Sequence, residues 1–332
     1  MKKFFIFCLL ICMFISICCC IYIQSFLKTS VNIKDKIIYI EKGKSLSYIA
    51  NLLEKEKIIS NKYVFKGIIL FKTKNKPNLK YGEYLFLQDI TNSDAIDVLL
   101  NNKSYIRSIT FAEGLTNYSI AKLLNENNYL SGDLIDYRDI QEGSLLAETY
   151  SFQRGDTRQS IIQRMQKALN KVLDEEWEKR DSNLPYKNKY EALIMASIIE
   201  KETGIDSERK LVASVFVNRL KIGMALQTDP SSLYGYTKGD TTKEKDKRVY
   251  LLLREKSPYN TYKNRGLPPT PICNTGISSI RAVLHPENTK YIYFVATGNG
   301  GHRFSTTYKE HLANVKKFRK TKEEQRKMNK NS

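Results

Sequence analysis

The hydrophobic pattern begins with one long apolar run near the N terminus. Residues 4–23 carry no charge and follow Lys2 and Lys3. Such a run is long enough for a helix to cross the hydrocarbon core of a bilayer. No small-residue cleavage site follows before Gln24, so the pattern predicts an uncleaved signal anchor. The alternative is a secreted protein whose leader is removed.

The basic residues before the apolar run predict its orientation in a membrane. With Lys2 and Lys3 held on the cytoplasmic side, the chain after about Phe26 lies outside the cytoplasmic membrane. We therefore expect a single-pass protein of the cytoplasmic (inner) membrane, with a cytoplasmic N terminus and an extracytoplasmic bulk. Residues 1–27 form the cytoplasmic stub and anchor in this interpretation.

A unit of strand, turn and helix occurs twice after the anchor. In the first copy, residues 37–40 have the composition of a strand, Gly43 marks a turn, and Ser45 is placed to cap a helix. Gly114 takes the place of Gly43 in the second copy, at an offset of 71 residues. The apolar positions of the two helices correspond as well: Ile49, Ala50, Leu52 and Leu53 match Ile120, Ala121, Leu123 and Leu124.

The segments between the two copies complete a small domain. Helical spacing is found at about 63–71 and 93–100, and residues 82–86 have the composition of a strand. We expect residues 33–105 to form an α+β subdomain, and the second copy to connect it to the rest of the chain.

The second half of the chain predicts several helices. Residues 145–155 look irregular, and the turn at 154–157 begins an amphipathic helix over 158–178. The apolar face of that helix consists of Ile161, Ile162, Met165, Leu169 and Val172. Residues 190–200 are almost wholly apolar and predict a buried helix, and Ser207 is placed to cap the next helix, at 208–220.

The remaining pattern predicts loops, a hairpin and a final helix. Loops are expected around 229–230, 257–258 and 267–269, where proline and polar residues cluster. A buried strand at 291–295 and a return at 298–305 precede a helix that carries His311 and Lys316. The predicted fold class is α+β, with a second, mixed α+β domain at 106–318 and a basic tail at 319–332.

Composition and charge restrict the classes of molecule that the protein is expected to bind. The chain has 54 Lys and Arg against 35 Asp and Glu, a formal net charge of +19. The basic residues are spread along the chain and do not form stripes interleaved with aromatics, and the anchor conflicts with a nucleic-acid binder. The anionic partners outside a bacterial membrane are lipid headgroups and cell-wall polymers.

The cysteine and histidine positions exclude two kinds of site. Five of the six cysteines lie in the apolar run, which leaves Cys273 alone downstream. This spacing excludes a disulfide framework and a cysteine-based zinc site. His285, His302 and His311 stand in unrelated contexts, so no metal site is expected. No nucleophile elbow or phosphate-binding loop is present in the sequence.

The end of the buried helix is the most informative chemical site. Glu200 lies in its last turn, where burial and the negative end of the helix dipole both raise a carboxyl pKa. A carboxylic acid that stays protonated near neutral pH is what general acid catalysis requires. Ala196 and Ser197 share its face and are small enough to leave room for a substrate. Glu202 lies about 200° around the helix and faces elsewhere. The alternative is that both carboxylates simply end a helix in solvent.

Polar and aromatic residues in the later loops suit a sugar. Amides, hydroxyls and flat rings match the hydroxyl groups and apolar faces of a pyranose. The candidate substrate-binding residues are Gln227, Asp229, Tyr259, Asn260, Tyr262 and His302. Each has a simpler alternative, because Asn and Asp beside Gly or Pro often only shape turns.

With these residues in view, the chain closely resembles the endolytic murein transglycosylase family, also called YceG-like or MltG. The resemblance runs from about Ile38 to Phe318. It is carried by Glu113-Gly114-Leu115-Thr116 and by the blocks at 196–203, 213–220, 226–230, 259–262, 266–269 and 293–296. The first glutamate of the Glu-Lys-Glu-Thr block is the family's catalytic residue, which corresponds to Glu200.

The resemblance implies cleavage within peptidoglycan glycan strands, between N-acetylmuramic acid and N-acetylglucosamine. The reaction is a lytic transglycosylation that leaves 1,6-anhydro ends and needs no metal or cofactor. The resemblance further implies that the duplicated units are LysM-like, that they hold glycan, and that the enzyme works beside peptidoglycan synthases. The chain departs from the family pattern at Thr270, Thr275, Ala147 and Gln153. The alternatives are a non-catalytic peptidoglycan-binding scaffold and a muramidase-type hydrolase, in which Asp229 or Glu202 would activate water opposite Glu200.

Overall fold

The computed structural model of the protein describes residues 2–31, 33–245 and 249–328. Helices and two-stranded sheets alternate along these residues, which confirms the predicted α+β class. The chain divides into two units. The first comprises residues 1–108 and 151–155, and the second comprises residues 109–150 and 156–332. The return of 151–155 to the first unit was not predicted.

The first unit has the order strand, helix, helix, strand, with a helix before and after. Its elements are α1 (Lys2–Lys28), β1 (Lys36–Ile40), α2 (Leu46–Lys55), α3 (Lys62–Lys72), β2 (Gly82–Phe86) and α4 (Asn92–Leu100). β1 and β2 pair antiparallel, with Lys36 opposite Phe86 and Ile40 opposite Gly82. Alternate residues of both strands point into one core, where Ile38, Ile40, Tyr84 and Phe86 are buried against the helices.

α1 is the one helix among the described residues that is long and apolar enough to cross a membrane. It contains the predicted run at 4–23 and extends beyond it. Its last turn packs inside the first unit, because Phe26 is buried and the Asn92 side-chain amide donates to the Phe26 carbonyl at 2.8 Å. Phe26, which the sequence assigned to the anchor segment 1–27, therefore belongs to the core of the first unit.

The repeat predicted from the sequence has a counterpart in the secondary structure. α2 follows its N-cap Ser45, and α5 (Asn117–Glu126) follows its N-cap Thr116; each cap hydroxyl accepts a backbone N–H three residues on. Both helices begin and end at positions that differ by the predicted offset. A strand precedes each helix, β1 in the first copy and β3 (Arg107–Thr110) in the second. The likeness of these units to LysM stays a prediction.

The second unit is mostly helical. After α5 it contains β4 (Thr149–Phe152), α6 (Arg158–Glu178), α7 (Lys189–Glu202), α8 (Asp206–Lys221), α9 (Asp229–Thr237), α10 (Val249–Leu252), α11 (Ile277–Leu284), β5 (Tyr293–Ala296), β6 (His302–Ser305) and α12 (Tyr308–Met328). Strands β3 and β4 pair with each other, and the chain passes between the two units along both of them. β5 and β6 form the predicted hairpin, with Phe294 opposite Phe304.

α7 is the centre of the second unit. Every residue from Ala192 to Ile199 is buried, as expected for a helix that is apolar on all faces. Helices α6, α8, α9 and α11 pack around it. The helix begins at its N-cap Asn188, whose side chain accepts the Glu191 N–H, and it places Glu200 at the edge of the core. Its position is therefore set by burial on all sides.

Three local predictions are wrong. Residues 145–155 are not irregular throughout, because β4 pairs with β3 there. Asp229-Pro230 is not a loop but the first turn of α9, where proline has no N–H to lose. Ser207 does not cap the next helix: α8 begins at Asp206, two residues before the predicted start, and its N-cap Ile205 makes no side-chain cap hydrogen bond.

Strand β5 differs from the prediction, and a further helix appears that was not predicted. β5 is shorter than the predicted strand at 291–295 and is only half-buried. α12 continues without a break to Met328, so the described part of the basic tail at 319–332 is helical, which agrees with the expected helical or frayed end. The short helix α11, which packs on α7, was not predicted because it follows a loop rich in proline and threonine.

Gly143 allows a close approach of two loops in the second unit. Its φ is +76°, and a Cβ there would lie 2.3 Å from the Cβ of Pro271. We predict that Gly143→Ala lowers the free energy of unfolding by about 2–4 kcal/mol, because it combines an unfavourable φ with overlap against a rigid ring. Urea unfolding in detergent measures the effect. Gly204→Ala, which meets no atom within 4 Å, is the matched control; an equal change in both variants would contradict the prediction.

Candidate active site

Glu200 is buried at the end of α7 and is held by two hydrogen-bond donors. Its side chain is 3% exposed. Oε1 accepts from Arg209 Nη2 at 3.2 Å, and Oε2 accepts from the Gly276 backbone N–H at 3.1 Å. Both donors give the buried carboxyl group hydrogen bonds that replace those it loses to water. The alternative in which Glu200 ends a helix in solvent is therefore wrong.

Arg209 connects three carboxylates. It lies on α8, with a side chain 9% exposed. Nη2 donates to Glu113 Oε2 at 3.2 Å as well as to Glu200, and Nη1 donates to Asp206 Oδ1 at 2.7 Å. One guanidinium cannot neutralise three carboxylates, so a proton on one of them lowers the free energy of the cluster.

Glu113 is the more exposed partner of Glu200. Its side chain is 40% exposed, and it lies in the loop between β3 and α5. Burial raises the pKa of Glu113 above its usual range, and the negative charge of Glu200 raises it further, while the positive charge of Arg209 opposes both effects. Glu113 therefore retains a proton more readily than an isolated glutamate does.

The predicted substrate space beside Ala196 and Ser197 does not exist. Both residues are completely buried. Ser197 Oγ donates to the Ile194 carbonyl at 2.7 Å and accepts the Ile272 N–H at 3.0 Å, so the loop before α11 packs on this face. Gly114 lies on another side of Glu200. A Cβ placed on Gly114 would be 3.8 Å from Glu200 Cγ.

Two of the predicted sugar-binding residues hold loops together in this structure. Asn260 is completely buried, and its amide donates to the carbonyls of Leu253 and Glu255 at 3.0 and 2.9 Å. Tyr259 is buried, and its hydroxyl is 2.8 Å from Thr270 Oγ1. These side chains shape the segment before α11, and their assignment as substrate contacts stays a prediction.

The other predicted residues lie on the Glu202 side of α7. Tyr262 donates to Asp229 Oδ1 at 2.6 Å, and the exposed Gln227 holds the same segment through its N–H, which donates to the Thr261 carbonyl. His302 Nδ1 is 2.7 Å from Glu208 Oε2. Burial and the nearby Asp229 raise the pKa of Glu202, with His302 and Arg219 acting in the opposite direction.

A cavity connects this side with the neighbour of Glu200. It has a volume of about 170 Å³, and its lining includes Thr116, Lys201, Asp229 and Tyr234. Lys201 directly follows Glu200, and its Nζ reaches the Gly114 carbonyl at 3.4 Å. The cavity thus lies between the residue that follows Glu200 and the polar segment that carries Asp229.

Glu113, Arg209 and Gly276 were not assigned a role from the sequence. The repeat contained a signal for Glu113, because the equivalent residue of the first copy is Lys42, of opposite charge. The pattern of α8 contained another: Arg209 is in helical register with the buried Val212 and Phe216. A charged residue on a buried face needs a buried partner. Nothing in the local sequence marks Gly276.

Two of the departures from the family pattern contact each other. The Ala147 N–H donates to the Thr275 carbonyl at 3.0 Å, next to the loop that holds Gly276. A proline at 147 would lack this donor. The two positions are thus joined by a hydrogen bond in this chain.

The comparisons with known proteins identify the family of the chain. The model of the YceG-like family matches residues 38–317. The chain belongs to the YceG-like family. This YceG-like chain is 36% identical over 327 residues to a protein of Bacillus subtilis named endolytic murein transglycosylase, with 90% of this chain and 87% of that protein covered.

Two further relatives extend the comparison. A Streptococcus pneumoniae protein of the same name is 26% identical; 88% of this chain and 60% of that longer protein are covered. A crystal structure of a YceG-like protein from Listeria monocytogenes is 31% identical and has a TM-score of 0.50, with 84% of this chain and 98% of that chain covered. The described helices of the YceG-like chain thus belong to a fold already seen in a relative.

A half-buried glutamate, Glu142, lies in the segment between α5 and β4. Glu142 accepts the Asn117 N–H at 3.0 Å and hydrogen bonds from Tyr234 and Asn274 at 3.4 Å each. No cation pairs with it among the described residues. Burial raises the pKa of Glu142 to about 7, although these hydrogen bonds oppose the shift. Folding therefore favours the protonated form.

The raised pKa of Glu142 predicts a pH dependence of stability. The contribution of Glu142 to the free energy of unfolding is complete below about pH 4.5. About 3 kcal/mol of this free energy is lost as the pH rises through about 7. Glu142→Gln should remove this part of the slope, so the variant gains stability relative to wild type between pH 5 and 8. Urea unfolding at pH 5 and at pH 8 measures the free energy of unfolding of each variant, with the exposed Glu126→Gln as the control. Parallel curves for wild type and Glu142→Gln would contradict the prediction.

Proposed function

We propose that the protein is a lytic transglycosylase that cleaves glycan strands of peptidoglycan between N-acetylmuramic acid and N-acetylglucosamine. The observation that carries the proposal is the buried Glu200 carboxyl, hydrogen-bonded to Arg209 and Gly276 in the segment that resembles the family's catalytic block. The names of the Bacillus and Streptococcus relatives support the same activity. The active-site acid is Glu200 in this proposal.

One carboxyl group is enough for this reaction. Protonated Glu200 gives its proton to the glycosidic oxygen, and the bond from that oxygen to C1 of the muramoyl residue breaks. The Glu200 carboxylate then takes the proton of the C6 hydroxyl, whose oxygen bonds to C1 and closes a 1,6-anhydro ring. No water is consumed, and Glu200 ends protonated as it began.

Glu113 does not serve as the second carboxylate of a glycoside hydrolase. Such a pair flanks the sugar, with room between the groups for the bond that is cut. Glu113 and Glu200 accept hydrogen bonds from the same nitrogen of Arg209, at 3.2 Å each, so a sugar ring does not fit between them. This arrangement supports transglycosylation over hydrolysis by that pair.

A muramidase-type hydrolase is the second candidate. The observation that favours it is Asp229, an exposed carboxylate on the cavity that Lys201 also lines. A water molecule activated by Asp229 would attack C1 in place of the C6 hydroxyl. A non-catalytic peptidoglycan-binding scaffold is the third candidate, and it gives no account of the glutamate pair.

The remaining parts of the chain position the enzyme in our proposal. α1 is a single-pass anchor in the cytoplasmic membrane with the N terminus inside. The repeated units, which we take to be LysM-like, hold the glycan, and the anchor keeps cleavage close to nascent strands and to peptidoglycan synthases. Confinement to a surface raises the effective concentration of enzyme near its substrate.

The product identifies the reaction. We predict that the full chain in detergent, incubated with uncrosslinked glycan strands, produces 1,6-anhydro-muramoyl ends. Glu200→Gln should lower the rate at least 100-fold, because the amide keeps the shape but has no acidic proton. Glu202→Gln is the matched control from the same helix turn and should lower the rate far less. Mass spectrometry of the fragments measures both results.

Two outcomes would contradict the proposal. Products heavier by one water molecule would identify a hydrolase, and full activity of Glu200→Gln would remove Glu200 from the mechanism. A third outcome, an equal loss of activity in Glu200→Gln and Glu202→Gln, would mean that the two carboxyl groups are coupled.

A further inference from the structure

Gly276 leaves a space that the Glu113 carboxyl occupies. Its φ of −83° is open to any residue, so the backbone does not require glycine. A Cβ at this position would lie 1.6 Å from Glu113 Oε1, and its three nearest atoms all belong to the Glu113 side chain. The N–H of the same residue donates to Glu200 Oε2. The absence of a side chain at 276 thus brings Glu113 against Glu200.

The charges around this pair favour one shared proton. Arg209 Nη2 is 3.2 Å from an oxygen of each carboxyl group. The other charged groups that face the pair are Asp206, on α8 beside Arg209, and Lys201, which reaches the Gly114 carbonyl. Two positive groups therefore face three carboxylates, and Glu200 is nearly inaccessible to water. Ionisation of both glutamates is disfavoured by their mutual repulsion.

We infer that Glu113 is a positioning residue that shares one proton with Glu200 and so keeps Glu200 able to donate at neutral pH. The catalytic meaning of this inference rests on the proposed function. Glu113 does not enter the bond changes: the proton leaves from Glu200, and the C6 hydroxyl returns one to Glu200. The role of Glu113 is to set how firmly the pair holds that proton before cleavage.

Titration tests the sharing without any substrate. Carbon-13 NMR of the glutamate carboxyl carbons in the full chain follows each group, with signals assigned by the Glu113→Gln and Glu200→Gln variants. In Glu200→Gln, the midpoint for Glu113 should fall by about one pH unit, because the neighbouring charge is gone. An unchanged midpoint would overturn the inference, whether or not the protein cuts glycan.

The pH profile of cleavage tests the consequence. The reaction needs a protonated acid, so activity is lost as the pH rises through the pair's apparent pKa. Glu113→Gln should move that loss about one pH unit lower, which is about a 10-fold lower rate at pH 8 and little change at acid pH. Glu113→Asp keeps a carboxyl group and should restore part of the shift. A merely structural role would lower the rate equally at every pH, and that result would overturn the inference.

Gly276→Ala displaces Glu113 while retaining every ionisable group and the N–H that binds Glu200. It should reproduce the pH profile of Glu113→Gln. In Glu113→Ala the space is already empty, so adding Gly276→Ala should cost little more. The exposed Glu126→Gln serves as the control and should leave the profile unchanged. Additive losses in the double variant would contradict the spatial argument; if Gly276→Ala fails to fold, the Glu113 variants and the NMR titration decide alone.

The proposed function and the role of Glu113 can be disproved independently of each other. If wild type releases no 1,6-anhydro ends, the proposed function is wrong, and the titration still decides whether the carboxyl groups share a proton. If wild type releases them and the Glu113→Gln profile superimposes on that of wild type, the proposed function stands and the role of Glu113 is wrong.

Discussion

The candidate site depends on one buried guanidinium, that of Arg209. Three carboxylates contact it, from the loop before α5, from the end of α7 and from the start of α8. Removing a charge from water costs several kcal/mol unless partners replace the lost hydration, so Arg209 is stable here only with these partners in place. The same requirement applies to Glu200, whose only donors among the described residues are Arg209 and Gly276. Segments distant in sequence are therefore held in one arrangement by electrostatics.

The fold makes that arrangement available through its central helix. Because α7 is buried on all faces, its last turn has a fixed place, and the short connection to α8 returns Arg209 to the same edge. The loop after Ile272 packs on Ser197 and brings Gly276 to the opposite side of Glu200. Hydrophobic burial thus positions the groups, while the ion pairs determine their protonation.

Much of the fold follows from local pattern. Residues 158–178 are the helix α6 with the bounds that the spacing predicts, and Ser45 and Thr116 cap helices at equivalent places in the repeat. The errors occur where tertiary contacts override local preference. β4 forms because β3 is available to pair, and α11 forms because α7 offers an apolar surface.

The site was predictable only in part. Glu200 stands out in the sequence because a carboxylate at the end of an apolar helix is unusual. Its neighbours in space are residues 113, 209 and 276, and the spacing of these residues in the sequence does not predict that they are close together. The sequence does not reveal the loop-holding contacts of Asn260 and Tyr259, because amides and aromatic rings that bind sugars look the same in sequence as those that hold loops. Burial, which only the structure provides, separates the two uses.

The most direct test of the account is the location of the scissile bond. A crystal structure of the Glu200→Gln variant with an uncrosslinked glycan oligomer measures it without turnover. We predict that the glycosidic oxygen lies about 3 Å from the side chain at position 200, within hydrogen-bonding reach. A glycosidic oxygen bound instead at Glu202 and Asp229, out of reach of position 200, would show that Glu200 is not the active-site acid.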